Sequence, residues 1–167
     1  MTRPNFEISL AKGELGEVIV RQIMENKGWV VYKPITDGAH PFDILAIKNK
    51  DRAIALDVKA KSRMNKFPAT GIDKNHFLQY QAFSFKHNMP FYLVFVDEAQ
   101  KSIYGQSLDE LEKKRVVHGV SYPFDMPTSY KQVRLWPLVA MKHIANIDEI
   151  MANKLSALSQ RNYQYIA

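Results

Sequence analysis

One short stretch of this chain, AIALDVKAK at residues 53–61, most constrains what the chain can fold into. Its larger apolar residues alternate along the chain with a set that contains Asp57 and Lys59. Successive side chains of a β-strand point to opposite faces, so this alternation predicts a strand with one apolar face and one face that carries an acid and amines. Asp57 and Lys59 would then project side by side, as a carboxylate that can bind a hard cation and an ammonium that can stabilise negative charge.

The segments before this strand predict a helix followed by a three-stranded meander. Apolar residues recur at helical spacing over residues 8–27, and Gly28 follows where a helix C-cap belongs. Aromatic and β-branched residues predict strands over residues 29–35 and 42–47. A short polar segment separates the second strand from residues 53–61, so these two strands form a hairpin.

The segments after it predict a second helix and a central strand. Residues 62–72 contain breakers and predict a loop, and Asp73 can cap a helix that reaches residue 87. Residues 91–98 are almost continuously apolar, which is typical of a strand covered on both faces. Together these elements give a sheet of at least four strands.

The second half of the chain gives weaker patterns. We expect a short strand at SIYGQ, a short helix with a capping box at SLDELEKKR, and a strand over residues 133–138. Residues 116–129 contain two prolines and predict an irregular loop, and apolar spacing from residue 147 onward predicts a terminal helix. We therefore predict a single α/β domain over residues 1–167.

Composition narrows the classes of protein and of metal site. The chain has no Cys, which excludes disulfides and thiolate zinc sites and leaves oxygen and imidazole ligands. No apolar run approaches the roughly 20 residues needed to cross a bilayer. No secretion signal begins the chain, so we expect a soluble cytoplasmic protein without a membrane partner.

Four residues of the first half could form one site. Glu17 lies on the first predicted helix, Asp43 at the start of the second strand, and Asp57 and Lys59 on the third. Pairing of the second and third strands can bring the two aspartates together, and a helix packed on the sheet can add Glu17. Carboxylates gathered in this way require a cation, and their oxygens favour a hard ion such as Mg²⁺ or Mn²⁺.

The order and spacing of these residues resemble the PD-(D/E)XK nuclease superfamily. Its motifs are a helical glutamate, an aspartate that often follows proline, and an acid separated by one residue from a lysine. The matching residues are Glu17 in GELGE, Asp43 in PFDILAI, and Asp57 with Lys59 in LDVK. The resemblance covers about residues 11–97 and looks closest to the Holliday junction resolvase and phage endonuclease branches.

The match has two departures. Phe42 separates Pro41 from Asp43, so the literal Pro-Asp pair is missing although the aspartate keeps its place at the strand start. Glu14 is an alternative to Glu17 as the helical acid. We favour Glu17 because the last acid of a G-x-x-G-E stretch usually fills this role in similar proteins.

The resemblance implies a restriction-endonuclease-like core of order αβββαβ, with a mixed sheet of about four to five strands flanked by helices. This core would occupy about residues 8–98, and residues 99–167 would be family-specific additions that include the terminal helix. The implied activity is that of a Mg²⁺-dependent DNA endonuclease, in which Mn²⁺ can substitute, and branched DNA is one candidate substrate. The implied source is bacterial or phage-encoded, and the implied assembly is a homodimer.

The resemblance also assigns roles to the site residues. Asp43 and Asp57, with the backbone carbonyl of Val58, would hold one or two Mg²⁺ ions against the scissile phosphate. Glu17 would position a metal or its water. Lys59 would orient the attacking water and offset charge in the transition state, giving a 5′-phosphate and a 3′-hydroxyl.

A basic run follows the predicted site and offers candidate DNA contacts at Lys61, Arg63, Lys66 and Lys74. The net charge of +6 favours a polyanionic partner, although each of these residues also fits a solvated loop. On the second helix, Tyr80 falls where some related nucleases place a site residue, and core packing is the more typical role. Two other functions stay open: a restriction-type endonuclease that reads a short sequence, and a nucleic-acid-binding module without catalysis.

Overall fold

The computed structural model describes residues 3–35, 40–64 and 68–161. The elements in these ranges alternate between helices and strands, as predicted for an α/β chain. In chain order they are α1 (Arg3–Asn26), β1 (Val30–Tyr32), β2 (Ile44–Lys48), β3 (Arg52–Ala60), β4 (Ala69–Asp73), α2 (Lys74–His87), β5 (Phe91–Asp97), β6 (Ser102–Ser107), α3 (Leu108–Leu111), β7 (Arg115–Val117), β8 (Val120–Tyr122), β9 (Phe124–Pro127), β10 (Gln132–Pro137), a 3₁₀ turn (Leu138–Ala140), β11 (Lys142–Asn146) and α4 (Glu149–Arg161).

The main sheet has six strands in the order β1-β2-β3-β5-β6-β11. The first three strands form the predicted antiparallel meander. β5 then pairs parallel with β3, and β6 and β11 add antiparallel. The mixed sheet flanked by helices is confirmed. It has more strands than the predicted four to five because β6 and β11, from the second half of the chain, extend it.

β3 lies inside this sheet and has packed layers on both faces. Its residues Ile54, Leu56 and Val58 join an apolar core with side chains of α1 and of the terminal helix α4. Ala55, on the other face, joins a second core with Phe77 of α2. The face that carries Asp57 and Lys59 is therefore covered by α2.

The helix α1 approaches β3 unusually closely at Gly16. A Cβ atom at Gly16 would lie 2.9 Å from the Cβ atom of Ala60, which is closer than side chains normally pack. A glycine inside a helix costs roughly 1 kcal/mol relative to alanine, so this position trades helix stability for contact. The contact holds Glu17, the next residue, beside the end of β3. The helix ends before Gly28, whose φ of 82° is the left-handed conformation of a C-cap.

Two loops predicted from the sequence contain strands instead. Residues 116–129 form most of the β7-β8 hairpin and then β9, and residues 62–72 include most of β4. β4, β10 and β9 make a second, three-stranded sheet beside α2. Of the two prolines that predicted a loop, Pro123 lies between β8 and β9, and Pro127 ends β9, which is an edge strand where a missing N–H is tolerated.

The second helix and the terminal helix predicted from the sequence are both present. Asp73 caps α2 by accepting a hydrogen bond of 2.9 Å from the Asn75 N–H. α4 packs against α1 and supplies Leu155 to the first core. Among the described helices, none combines the length and apolar character that a membrane crossing requires.

Candidate active site

The site begins where β3 continues beyond its neighbour β2. β2 starts at Ile44, opposite Leu56, whereas β3 runs on to Ala60, and no described strand pairs with this edge past Leu56. Asp43 fills the gap. Its N–H donates to the Leu56 carbonyl at 2.9 Å, and its Oδ2 accepts a hydrogen bond of 2.7 Å from the Val58 N–H. The N–H and C=O of one strand residue point to the same side, so the Val58 carbonyl faces the same opening.

Asp57 is the most enclosed acid of the site. The Lys59 ammonium donates a hydrogen bond of 2.9 Å to Oδ1 of Asp57 and lies 2.8 Å from Oδ2. The Tyr80 hydroxyl donates to the same Oδ1 at 2.8 Å. Oδ2 is buried and accepts no hydrogen bond from the described residues. The predicted Asp57 and Lys59 pair is therefore in contact and is fixed by a tyrosine from α2.

Tyr80 combines the two roles that the sequence left as alternatives. Its ring stacks on Phe91 with centroids 4.7 Å apart, and its side chain is buried in the second core. Burial and then the charge of Asp57 raise the pKa of Tyr80, so the hydroxyl stays protonated. It is a permanent hydrogen-bond donor to Asp57.

The two aspartates destabilise each other's charge. Burial and then the charge of Asp57 raise the pKa of Asp43 to about 6, although the Val58 N–H and Lys59 act in the opposite direction. At neutral pH the Asp43 carboxylate therefore carries its charge beside Asp57 at an energetic cost. A proton or a cation between them would relieve that strain.

Glu17 lies on α1, which packs on the face of the sheet opposite to the face that carries Asp57 and Lys59. It lines a cleft at the end of β3 together with Asp43. This cleft, with a volume of about 270 Å³, is lined by the end of β3, by Asp43 and by α1, with Glu14, Glu17, Lys59 and Lys61 among its walls. Glu14 is exposed, whereas Glu17 is half-buried. Both alternatives for the helical acid line the cleft, and Glu17 is the more enclosed of the two.

The sequence did not indicate Lys33, which is a partner of Glu17. Its ammonium lies 2.7 Å from Oε2 of Glu17. A hydrogen bond with Glu17 raises the pKa of Lys33 against the opposing effect of burial, and the charges of Glu14 and Asp43 add to the rise. Lys33 follows a strand of three residues, so no periodicity or motif signals that its side chain turns back to α1.

The oxygen atoms of the site fit a hard divalent cation. Asp43, Asp57 and the Val58 carbonyl supply oxygen ligands. Two buried carboxylate oxygens, Oδ2 of Asp57 and Oε2 of Glu17, each contact a lysine ammonium but accept no hydrogen bond of good geometry from the described residues. In the described ranges, however, no three acidic or histidine side chains converge on one point. Glu17 is directed to Lys33, while the two aspartates stay together.

The predicted DNA contacts differ in how they are placed. Lys61 lines the cleft, and its ammonium donates to the Gly71 carbonyl. Burial lowers the pKa of Lys61, and the charges of Lys131 and Lys59 lower it further. Lys61 is thus a partly enclosed amine at the wall of the cleft.

The other basic residues have partners of their own. Arg63 donates from Nε to the buried Asp97 at 2.8 Å, and Lys74 lies 2.7 Å from Asp125 in the second sheet. Lys66 lies outside the described residues. The structure thus places Lys61 at the cleft and holds Arg63 and Lys74 in ion pairs.

Replacing Asp43 with asparagine is expected to stabilise the protein at neutral pH when no divalent cation is present. The asparagine oxygen can still accept the Val58 N–H, and the repulsion of Asp57 disappears. The folded-state pKa of Asp43 is raised from 3.8 to about 6, so its favourable contribution is complete below pH 3.8 and is lost as pH rises through about 6. One pKa unit is worth about 1.4 kcal/mol, and the pKa of Asp43 rises by about two units, so the gain above pH 7 should be about 3 kcal/mol.

Urea unfolding in EDTA between pH 4 and pH 8 measures this effect. The stability difference between Asp43→Asn and wild type should grow between about pH 4 and pH 6 and then level off. Asp125→Asn is the control of opposite sign. Burial opposes it, but hydrogen bonds from Lys74 and Arg134 lower the pKa of Asp125, so this variant should lose stability at neutral pH. A difference for Asp43→Asn that does not vary with pH would contradict the prediction.

Two solved structures resemble this fold over most of the chain. One is Archaeoglobus fulgidus Hjc, a Holliday junction resolvase from an archaeal hyperthermophile, with a TM-score of 0.55 and 13% identity, covering 84% of this chain and 95% of that chain. The other is D212, a nuclease from a fusellovirus, with a TM-score of 0.50 and 12% identity, covering 95% of this chain and 97% of that chain. No protein-family model matches the chain, and no curated protein sequence matches it significantly.

These likenesses agree with the order of elements. α1 precedes a three-stranded meander, and α2 connects β3 to the parallel strand β5 through β4. The predicted order αβββαβ is present with one extra strand, β4, which belongs to the second sheet. At such low identities similarity of structure speaks for the fold alone. This chain has the restriction-endonuclease-like fold.

Proposed function

We propose that this protein is a DNA endonuclease that hydrolyses phosphodiester bonds with Mg²⁺, for which Mn²⁺ can substitute. The observation that carries the proposal is the group at the open end of β3. There burial and then the charge of the neighbouring Asp57 raise the pKa of Asp43, and the Lys59 ammonium lies within 3 Å of both Asp57 oxygens. A cation held by the two aspartates could contact the same phosphate as the Lys59 ammonium. This arrangement suits phosphodiester hydrolysis.

Asp43, Asp57 and the Val58 carbonyl would hold the cation, with Glu17 as an additional ligand from α1. Bound there, Mg²⁺ would polarise the scissile phosphate and lower the pKa of the attacking water. Tyr80 would keep Asp57 oriented by donating to Oδ1, and Oδ2, which the Lys59 ammonium also approaches, would bind the cation. Lys59 would orient the attacking water and neutralise charge that develops on the phosphate.

DNA binding would use the cations that surround this cleft. Lys61 forms part of its wall and can contact a phosphate next to the scissile one. Arg63 is held by Asp97 through Nε, and its guanidinium lies over the Tyr104 ring at 5.7 Å. A guanidinium fixed in this way loses little side-chain entropy when its remaining N–H groups bind a phosphate. Lys66 and Lys74 remain candidates from the sequence alone.

Branched DNA is the first substrate to test, because one of the solved structures that this fold resembles is a Holliday junction resolvase. A restriction-type enzyme is the alternative within the same chemistry. A nucleic-acid-binding module without catalysis is the alternative from another class. Asp43 and Asp57 argue against it, because carboxylates repel a phosphate unless a cation is present. The homodimer implied by the sequence resemblance stays a prediction.

A cleavage panel tests the proposed function. The purified protein should cut at least one of duplex, single-stranded, flap and four-way-junction DNA in Mg²⁺ or Mn²⁺, and EDTA should stop the reaction. Preference for the junction without sequence dependence would support a resolvase, and cuts at fixed duplex sites would support a restriction enzyme. The proposal fails if plasmid, linear and junction DNA all stay intact in both cations. Salt-sensitive DNA binding that ignores the loss of Asp43 would then favour the binding module.

A further inference from the structure

Lys33 is the counter-ion of Glu17 in the cleft. Its ammonium lies 2.7 Å from Oε2, an oxygen that is buried and has no hydrogen bond of good geometry from the described residues. The two side chains come from different elements, because Lys33 follows β1 and Glu17 lies on α1. The contact is therefore a charge pairing between α1 and the segment that follows β1.

This pair differs from the other lysine and carboxylate pair of the site. The Lys33 side chain is 53% exposed and that of Glu17 is 19% exposed, whereas the values for Lys59 and Asp57 are 30% and 4%. Ion pairs with an exposed partner contribute little to stability, because water replaces the contact at low cost. A carboxylate as buried as Asp57 cannot release its lysine so easily. Lys33 is the counter-ion that can leave.

The placement of Glu17 makes this difference important. Glu17 and Asp43 line the same cleft, yet no three acidic or histidine side chains of the described part of the chain converge as metal ligands. The carboxylate of Glu17 is engaged by Lys33 instead. A cation bound by the aspartates and the ammonium of Lys33 would therefore be alternative partners for Glu17.

We propose that Lys33 is a displaceable counter-ion that competes with the divalent cation for Glu17 and so sets the cation concentration at which the site fills. The inference rests on the proposed function, since it requires a cation at the aspartates. When the cation binds, the Lys33 ammonium moves into the solvent that already surrounds half of its side chain. Without the cation, Lys33 stays paired with the Glu17 carboxylate.

Calorimetric titration of Mg²⁺ and Mn²⁺ without DNA tests the competition. Lys33→Met should bind the cation about 3- to 10-fold more tightly than wild type, because an exposed competing pair is lost. Lys33→Arg keeps the charge and should return the affinity to near the wild-type value. The rise in melting temperature with added Mg²⁺ gives a second measurement when binding is too weak for calorimetry.

Two control variants separate competition from a general change in charge. Lys113→Met removes the same charge from a more exposed lysine that pairs with Glu110, at the opposite end of the sheet, and should leave cation affinity unchanged. Glu17→Gln should weaken cation binding. In the Glu17→Gln background, Lys33→Met should have no further effect, because the group for which it competes is gone.

The outcomes distinguish this inference from the proposed function. If wild type binds Mg²⁺ and cuts DNA while Lys33→Met binds the cation no more tightly, the role of Lys33 is wrong and the function stands. An equal gain in Lys113→Met, or a gain that persists in Glu17→Gln, also overturns it. If wild type binds neither cation and cuts no DNA, both proposals fail.

Discussion

The Asp57→Ala variant is expected to lose DNA cleavage, with a fall of about 10³-fold or more in the single-turnover rate. The substitution removes a carboxylate proposed to hold the cation, and it also removes the contact that positions the Lys59 ammonium. These two losses affect one step, so the effect should be as large as that of any other single change in the site.

Single-turnover rates on the best substrate of the cleavage panel, at saturating Mg²⁺, measure this loss. Asp57→Asn is a second variant that retains an oxygen for the Tyr80 hydroxyl, and it should be almost as inactive. DNA binding at low salt should persist in both variants, since the basic residues remain. Cleavage by Asp57→Ala within about tenfold of wild type would mean that the chemistry takes place elsewhere.

Lys59→Met is expected to lower the cleavage rate by about 10²- to 10³-fold, the usual effect of removing one group that stabilises transition-state charge. The defect should persist at high Mg²⁺ because the variant retains the proposed cation ligands. Lys59→Arg keeps the charge on a different shape and should recover only part of the rate.

Stability supplies an independent readout for the same lysine. Without Lys59, the buried Asp57 keeps, among the residues that the structure describes, the Tyr80 hydroxyl as its hydrogen-bond donor, so Lys59→Met should be less stable than wild type in EDTA. Mg²⁺ should restore much of that stability by binding the unpaired acid. Lys113→Met, which removes an exposed lysine at the other end of the sheet, should change neither quantity. A Lys59→Met variant with near wild-type cleavage would remove this lysine from the mechanism.

The fold around the site could be predicted from local patterns. Alternation over residues 53–61 predicts β3 within one residue at each end, and the apolar run at residues 91–98 predicts the buried β5. The short polar turn before β3 makes β2 its neighbour, which places Asp43 beside β3. Each of these steps depends on residues close in sequence, so periodicity and turn chemistry are sufficient.

Contacts between distant segments could not be predicted in this way. β4 pairs with β10, which lies about sixty residues later in the chain, and no pattern in either strand indicates this pairing. The Tyr80 contact with Asp57 depends on how α2 packs across the sheet, and the Lys33 contact with Glu17 depends on the path of the chain after β1. Such contacts depend on tertiary packing, and they leave no periodic pattern in a single sequence from which they could be predicted.

The basic run after β3 illustrates a second limit of sequence reasoning. Charge along the chain suggested a solvated surface for DNA, but Arg63 pairs with the buried Asp97 and Lys74 with Asp125. Lys61 is itself partly enclosed. A sequence shows which residues are cationic, but it does not show which of them are already paired with an acid. The ion pairs of Arg63 and Lys74 therefore could not be predicted.

Because β2 begins opposite Leu56, no described strand pairs with the edge of β3 beyond that residue. This edge has a consequence for how the protein behaves at high concentration. An exposed strand edge with free N–H and C=O groups is a template on which the strand of another molecule can add. Here the carboxylate of Asp43 occupies the Val58 N–H, and the charge of Lys59 lies beside it. The charged groups at the end of β3 therefore also oppose edge-to-edge aggregation. Selection for solubility and selection for chemistry would favour the same charges at this point of the sheet.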